Sequence, residues 1–359
     1  MTSQPVREPQ EQFRLTALAH GGGCGCKLSP AVLRELLDGQ MAASGFGDLL
    51  VGNAGSDDAA VWALDDERCI VATTDFFMPV VDDPFDFGRI AATNAISDIY
   101  AMGARPLFAL AILGMPLGKV DTATVRQILA GGAAIGRDAG IPIAGGHSID
   151  SAEPIYGLAV IGEVTRAHLK TNSGARAGDA LILTKPLGIG IYSATLKRGE
   201  LAPQDYADMI AATTRLNMIG TQLGTTSEVH AITDVTGFGL LGHALEMARA
   251  SGAMLAIKSA DVPLLPRAGE WAKGGQVTGA SARNWASVAD GIELSSRLQP
   301  WQRDLLTDPQ TSGGLLVAVD GKAAPDVLAT IRAQGFAKAA IIGHAESLAA
   351  AAAARVIIT

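Results

Sequence analysis

The chain has 359 residues, 48% of them hydrophobic and 5% aromatic, with 42 glycines and a net charge of -8 from 28 Lys and Arg against 36 Asp and Glu. This length exceeds the usual size of one hydrophobic core, so two domains are expected, and the composition excludes a disordered chain and points to an α/β protein packed with Ala, Val, Leu and Ile. The acidic balance works against nonspecific attraction to nucleic acid or an anionic membrane, so an anionic substrate needs local cations.

No apolar run reaches membrane-spanning length, and the polar segment Met1 to Arg14 has neither a signal-peptide core nor an anchor. Three cysteines cannot all pair, and Cys24 and Cys26 are too close for an ordinary structural bridge; free thiols and a cytoplasmic location are expected.

In chain order, residues 1–14 read as disordered. His20-Gly-Gly-Gly-Cys24-Gly-Cys26-Lys27 follows, half glycine and expected to be mobile until something orders it. A lysine three residues after Cys24 favours a thiolate or holds a phosphate; the plainer reading is a flexible turn with incidental thiols. Ser29-Pro30 suits a helix start, with Val32, Leu33, Leu36 and Leu37 as its apolar stripe. Ala59 to Leu64 and Cys69 to Thr74 read as a hairpin turned at Asp65-Asp66, flanked by Asp57-Asp58 and Asp75. From Phe87 to Met102 the pattern is helical, and Asn94 and Asp98 share one face of an otherwise apolar helix, which calls for a polar partner.

Leu107 to Leu113 reads as a strand, Thr122 to Ala139 as a helix, Ile141 to Ala144 as a strand ending in the turn Gly145-Gly146-His147-Ser148, and Tyr156 to Val164 as another strand. Polar residues from Arg166 to Gly178 read as a linker. The second unit places Leu181 to Thr184 before Gly188-Ile189-Gly190 and a helix, Asp234-Val-Thr-Gly-Phe-Gly before a helix over Leu240 to Ala250, and Asp308-Pro-Gln-Thr-Ser-Gly-Gly314 before a strand over Leu315 to Val319. The similar punctuation of the two units suggests a divergent duplication.

Asp58, Asp75, Asp98 and Asp234 fall at element ends or on a polar helix face. Any one reads as a cap or turn residue, but the set suits hard cations such as Mg²⁺ bound with substrate phosphates. Gly146-His147-Ser148 and Gly188-Ile189-Gly190 offer backbone N–H groups to phosphate, although no P-loop or kinase-like catalytic set is present. His147 reads as a phosphate donor or a loop histidine, His243 as structural. The histidine and cysteine spacings match no zinc site.

Taken together, His20-Gly-Gly-Gly-Cys24-Gly-Cys26-Lys27, Asp57-Asp58-Ala-Ala-Val, Thr73-Thr-Asp75-Phe-Phe-Met-Pro, Asn94-Ala-Ile-Ser-Asp98, Ala144-Gly-Gly-His147-Ser-Ile-Asp150, Thr233-Asp234-Val-Thr-Gly-Phe-Gly and Asp308-Pro-Gln-Thr-Ser-Gly-Gly314 resemble the selenophosphate synthetase family over about residues 15 to 345. The resemblance implies the two-domain α/β fold of the aminoimidazole ribonucleotide synthetase superfamily, with mixed sheets flanked by helices and a flexible Gly-rich N-terminal loop. It divides the chain into 1–49 (tail, catalytic loop and first helix), 50–165 (ATP/Mg-binding and dimerisation domain) and 170–359 (C-terminal α/β domain). It also implies a homodimer joined through strands of the N-terminal domain, and the conversion of ATP, selenide and water to selenophosphate, orthophosphate and AMP, with a selenium-delivery protein as a further partner.

Carried over by motif, Cys24 is the reactive thiol and Lys27 the ammonium near the phosphates. Asp58, Asp98 and Asp234 are Mg²⁺ ligands, while Gly55, Ser56, Asp57, Asp75, Asp98, Gly146, His147 and Ser148 join Lys27 in contacting ATP. A kinase or hydrogenase-maturation protein of the same superfamily would share the Asp/Gly framework but lack the Gly/Cys/Lys loop. A thiol-based selenium or metal carrier would leave the aspartates unexplained.

Overall fold

The computed structural model describes residues 14–28, 32, 35–36, 46–52, 57–348, 353 and 355–359. The helix expected from Ser29 falls largely outside these residues, although Val32, Glu35 and Leu36 are helical. Gly55 and Ser56, expected to contact ATP, lie outside them as well.

The first sheet has strands β1 (Leu49–Val51), β2 (Ala60–Ala63), β3 (Arg68–Phe77), β4 (Arg105–Met115), β5 (Ile143–Asp150) and β6 (Ile155–Thr165) in the order β1-β2-β3-β6-β4-β5. Neighbours are antiparallel except β4 and β5. One face carries helix α1 (Pro84–Ala101), against which α2 (Thr122–Asp138) packs. Asp83 caps α1 by accepting from the Asp86 N–H, and Pro84 sits at its first turn, where a missing N–H costs nothing. The two helices approach so closely that a Cβ on Gly88 would lie 1.9 Å from the Ile128 carbonyl oxygen. Every residue of α1 from Ile90 to Ala101 is buried, because α1 also packs against the second half of the molecule.

The second sheet contains β7 (Asp179–Leu183), β8 (Val229–Asp234), β9 (Ala253–Ile257), β10 (Ile292–Leu294), β11 (Leu315–Asp320), β12 (Ala340–Ser347) and β13 (Arg355–Ile358), ordered β10-β13-β9-β12-β7-β11-β8. Only the β10–β13 and β13–β9 pairs are parallel. Its central strands are buried on both faces, which accounts for continuous apolar runs such as Leu315 to Val319. Helices α3 (Ile189–Lys197), α4 (Pro203–Thr213), α5 (Ile219–Gly224), α6 (Gly239–Ser251), α7 (Ala268–Lys273), α8 (Gly279–Val288), α9 (Pro300–Leu306) and α10 (Ala324–Ala333) complete this half. Among the described residues no helix is long and apolar enough to cross a membrane.

Several local expectations change. Gly145 to Ser148 is not a turn but the middle of β5, paired in parallel with Ala111 to Leu113; the ladder supplied by β4 overrides a glycine-rich segment's preference for a turn. The linker is packed rather than loose: the Ser251 hydroxyl donates to the Asn172 carbonyl at 2.7 Å and accepts from the Ala175 N–H at 3.0 Å. Arg14, at the end of the expected tail, is held by Asp82 at 2.8 Å.

Candidate active site

The Gly/Cys segment forms a short 3-10 turn, Gly23–Cys26, between the two halves of the molecule. Gly23 has φ 54°, and a Cβ there would meet the Thr311 hydroxyl at 2.2 Å, so glycine serves both conformation and close approach. Its N–H donates to the Met78 carbonyl at 2.9 Å, and the Cys24 N–H donates to Thr311 Oγ1 at 3.0 Å. These contacts bury Cys24, with 1% of its surface exposed.

The thiol of Cys24 donates to Asn94 Oδ1 at 3.2 Å, the same oxygen that accepts the Ser312 N–H at 2.7 Å. The amide nitrogen of Asn94 donates to Asp75 Oδ2 at 2.7 Å, and Lys27 Nζ reaches that carboxylate oxygen at 2.7 Å. This is the partner that the polar face of α1 requires. One turn along, Asp98 accepts from the Thr73 hydroxyl at 2.5 Å. Thr73 and Asp75 alternate with outward residues on β3, so both face α1.

Asp234 ends β8 opposite Leu315, and Ser97 of α1 donates to its carboxylate. The Thr233 hydroxyl donates to Asp58 Oδ1 at 3.0 Å. The Oδ2 atoms of Asp58 and Asp234 are buried without a hydrogen-bond partner. Burial, followed by repulsion from Asp234 and Asp98, pushes the Asp58 carboxyl well up from its ordinary range. Burial, then Asp234 and Asp75, does the same to Asp98 against the pull of Lys27. Asp234 is also raised, by burial. Among the described residues no three His, Cys, Asp or Glu side chains form a ready-made cation cage; the site presents open, mutually repelling carboxylate oxygens.

Lys27 favours the Cys24 thiolate, but its ammonium is held by Asp75. Burial raises Cys24 well above the ordinary thiol range despite Lys27, so in this arrangement Cys24 is a neutral S–H donor. Burial would lower Lys27, but the Asp75 carboxylate, with Cys24 and Asp98, lifts it above its ordinary value. Cys26 is half-buried, its thiol donating to the Gly23 carbonyl at 2.9 Å.

Other expected site residues lie apart. Asp57 accepts the Asn172 N–H at 2.7 Å, tying the β2 hairpin to the linker. Asp75, Leu158, Ala111 and Gly146 form one row across β3, β6, β4 and β5, so three strand spacings place Gly146 about 14 Å from Asp75. His147 belongs to the next row, with Ile112, Gly157 and Phe76, and side-chain alternation turns it to the opposite face. Gly146-His147-Ser148 is therefore a strand segment rather than a turn.

Nor is Gly188-Ile189-Gly190 free to hold phosphate. The Gly188 and Ile189 N–H groups donate to Gln310 Oε1 at 3.1 and 3.2 Å, while those of Gly190 and Ile191 donate to Asp308 Oδ2 at 2.9 and 3.2 Å. Burial raises the Asp308 carboxyl to about 8. Roles for Thr73, Thr311, Ser312, Asp308 and Gln310 escaped the reading of single residues; the last four lie in the Asp308 to Gly314 motif, which gave only its position before β11.

Comparison with known proteins fits this architecture. Residues 56–164 match the family model for the N-terminal domain of AIR synthase related proteins, and residues 176–350 match the C-terminal domain model. Thiamine-monophosphate kinase from Stenotrophomonas maltophilia K279a aligns with TM-score 0.62 and 19% identity, over 91% of this chain and 95% of the other. A HypE–HypF complex chain aligns with TM-score 0.65 and 17% identity over 89% and 94%. These matches define a two-domain protein of the AIR synthase-like fold.

Closer relatives narrow the class. Selenide, water dikinase from Rhizobium meliloti (strain 1021) is 58% identical over 94% of this chain and 97% of its own, and that from Dechloromonas aromatica (strain RCB) is 55% identical over 94% and 97%. The chain belongs to the selenide, water dikinases, a family of ATP-dependent phosphotransferases.

Proposed function

We propose that the chain makes selenophosphate, orthophosphate and AMP from ATP, selenide and water, providing activated selenium for selenocysteine and selenouridine synthesis. The observation that carries this reading is the placement of the Cys24 thiol and the Lys27 ammonium on Asn94 and Asp75, beside Asp58, Asp98 and Asp234. A thiol carrier has no use for such a set of carboxylates.

The buried, unpartnered Oδ2 atoms of Asp58 and Asp234 are hard oxygen donors that suit Mg²⁺, with Asp98 as the third ligand. Mg²⁺ held there would neutralise charge on the phosphoryl group and its leaving oxygen. Lys27 holds the γ-phosphate, exchanging Asp75 for phosphate oxygens. Selenide attacks the γ-phosphorus as its bond to the ADP oxygen breaks, giving selenophosphate and ADP; water then attacks the β-phosphorus of ADP, giving orthophosphate and AMP. Cys24 guides selenide toward the γ-phosphate without a covalent bond to it, and the Gly-rich loop, closed over ATP, excludes water during the first transfer.

Gly55, Ser56, Asp57, Asp75 and Asp98 are assigned to the nucleotide by motif, as are Gly146, His147 and Ser148. The chain works as a cytoplasmic homodimer. Supporting this, Trp62, Phe76, Leu110 and Ile149 share the face of the first sheet opposite α1 and are 41%, 47%, 39% and 57% exposed. A selenium-delivery protein is the further partner.

The test is anaerobic chromatography of nucleotides from ATP and Mg²⁺, with and without selenide. Selenide-dependent AMP is expected; ATP that stays intact, or ends at ADP, contradicts the proposal.

A further inference from the structure

The Gly/Cys turn has a second side. Opposite the carboxylates lies a cavity of about 430 Å³ whose walls include Gly22, Gly25 and Thr311 from the turn and its contacts, and Lys197, Arg198 and Arg283 from α3, its C-terminal cap and α8. Among the described residues no Asp or Glu lines it. Thr311 belongs to both sides, since it lines the cavity and its hydroxyl accepts the Cys24 N–H at 3.0 Å. Gly22 and Gly25 contribute only backbone to the cavity wall.

Two of the three cations also fix that wall: Arg283 donates to the Gly25 carbonyl at 3.2 Å and Lys197 to the Ala19 carbonyl at 3.2 Å. Neither carbonyl neutralises its partner. The Arg198 side chain makes no hydrogen bond or ion pair with the described residues, so its charge is open to a ligand.

The two sides differ in what they admit. An anion approaching Cys24 from the nucleotide side meets Asp58, Asp75, Asp98 and Asp234, with Lys27 already taken by Asp75. From the cavity it meets Lys197, Arg198 and Arg283, with Glu153 acting on Lys197 from outside the lining, and a concave site in which one sign predominates concentrates counter-ions. Hydroselenide is an anion at neutral pH, and the volume falls within the range of sites for small organic ligands, so it also admits a selenolate carried on a small thiol.

We propose that this basic cavity is the entry site for the selenium substrate, binding an anionic selenolate next to Cys24 on the side away from the nucleotide. The inference rests on the selenophosphate-forming reading above. It involves binding alone, with no bond made or broken in the cavity.

The experiment is anaerobic steady-state kinetics on the full chain, following AMP, with selenide varied at saturating ATP and ATP varied at saturating selenide. One arm supplies hydroselenide alone and the other supplies it premixed with a small-thiol disulfide, which forms the selenopersulfide. Arg198→Glu should raise KM for selenium about 10-fold while KM for ATP stays within about 2-fold, and Arg198→Lys should restore it, as expected for charge steering in a cleft. Arg198→Gln gives an intermediate value and guards against a folding defect in the Glu variant. An effect in both arms assigns the site to the selenolate itself; an effect in one arm assigns it to that form.

Unchanged selenium KM in both arms, or an equal rise in KM for ATP, overturns the entry site. So does competition between orthophosphate and selenide in the wild type that Arg198→Glu abolishes, which makes the cavity a phosphate site. A wild-type chain with no selenide-dependent AMP overturns the underlying reading instead.

Discussion

The two sides of the Gly/Cys turn present opposite electrostatics within a few residues of chain. On one side Asp58, Asp75, Asp98 and Asp234 gather around Asn94 and Lys27; on the other Lys197, Arg198 and Arg283 surround a cavity lined, among the described residues, by no carboxylate. The acidic side is costly to the protein alone, since its buried carboxylates repel one another and two oxygens lack partners. The basic side is open to solvent and carries little such cost. Mg²⁺ and phosphates bound as proposed on the first side would offset that cost. The Gly/Cys turn between the two sides carries the thiol.

The acidic side should be the more sensitive. Asp234→Asn, which removes one of the oxygens assigned to Mg²⁺, is expected to lower selenide-dependent kcat by about 1,000-fold or more while thermal unfolding stays cooperative. Activity within 10-fold of wild type would break the assignment. Cys24→Ser keeps a donor to Asn94 and should lower kcat/KM for selenide by about 100-fold with KM for ATP little changed. Full activity with free selenide would remove the thiol from the reaction.

Effects on stability are smaller and run in both directions. Lys27→Met leaves Asp75 without its cation and should cost about 1–2 kcal/mol in denaturant unfolding, reduced because the ammonium is partly exposed. Asp58→Asn should stabilise the Mg²⁺-free protein at pH 8 by about 1 kcal/mol. The sign follows from the raised pKa of Asp58 and its neighbours. Between the unfolded carboxylate range and those raised values the folded state binds more protons, so stability falls as pH rises. The gain from Asn should therefore vanish toward pH 4 and shrink when Mg²⁺ is added. A gain independent of pH would mean that charge repulsion is not its source. Ser312→Gly should have the least effect, a gain of up to about 1 kcal/mol, since Ser312 holds φ 55° and its buried hydroxyl has no partner.

How far the sequence revealed all this depended on the range of the forces involved. The helical spacing of α1, with Asn94 and Asp98 on one face, was legible because the period is local; that Asp75, Thr73, Cys24 and Ser312 would answer that face was not. Gly145 to Ser148 read as a turn because its own residues favour one, and only pairing with β4 makes it a strand. Gly188-Ile189-Gly190 looked free for phosphate because its partners, Asp308 and Gln310, arrive from more than a hundred residues away. Lys197 and Arg198 are ordinary surface charges in the sequence until α3 and α8 bring them beside Arg283.

The most direct test of the account is anaerobic ³¹P NMR of the full chain with ATP, Mg²⁺ and ⁷⁷Se-labelled selenide, run beside Cys24→Ser. The account predicts a selenophosphate resonance split by ⁷⁷Se, growing with AMP and orthophosphate in the wild type and nearly absent in the variant. A wild-type spectrum showing only ATP, or ADP and orthophosphate without a phosphorus–selenium species, would contradict it.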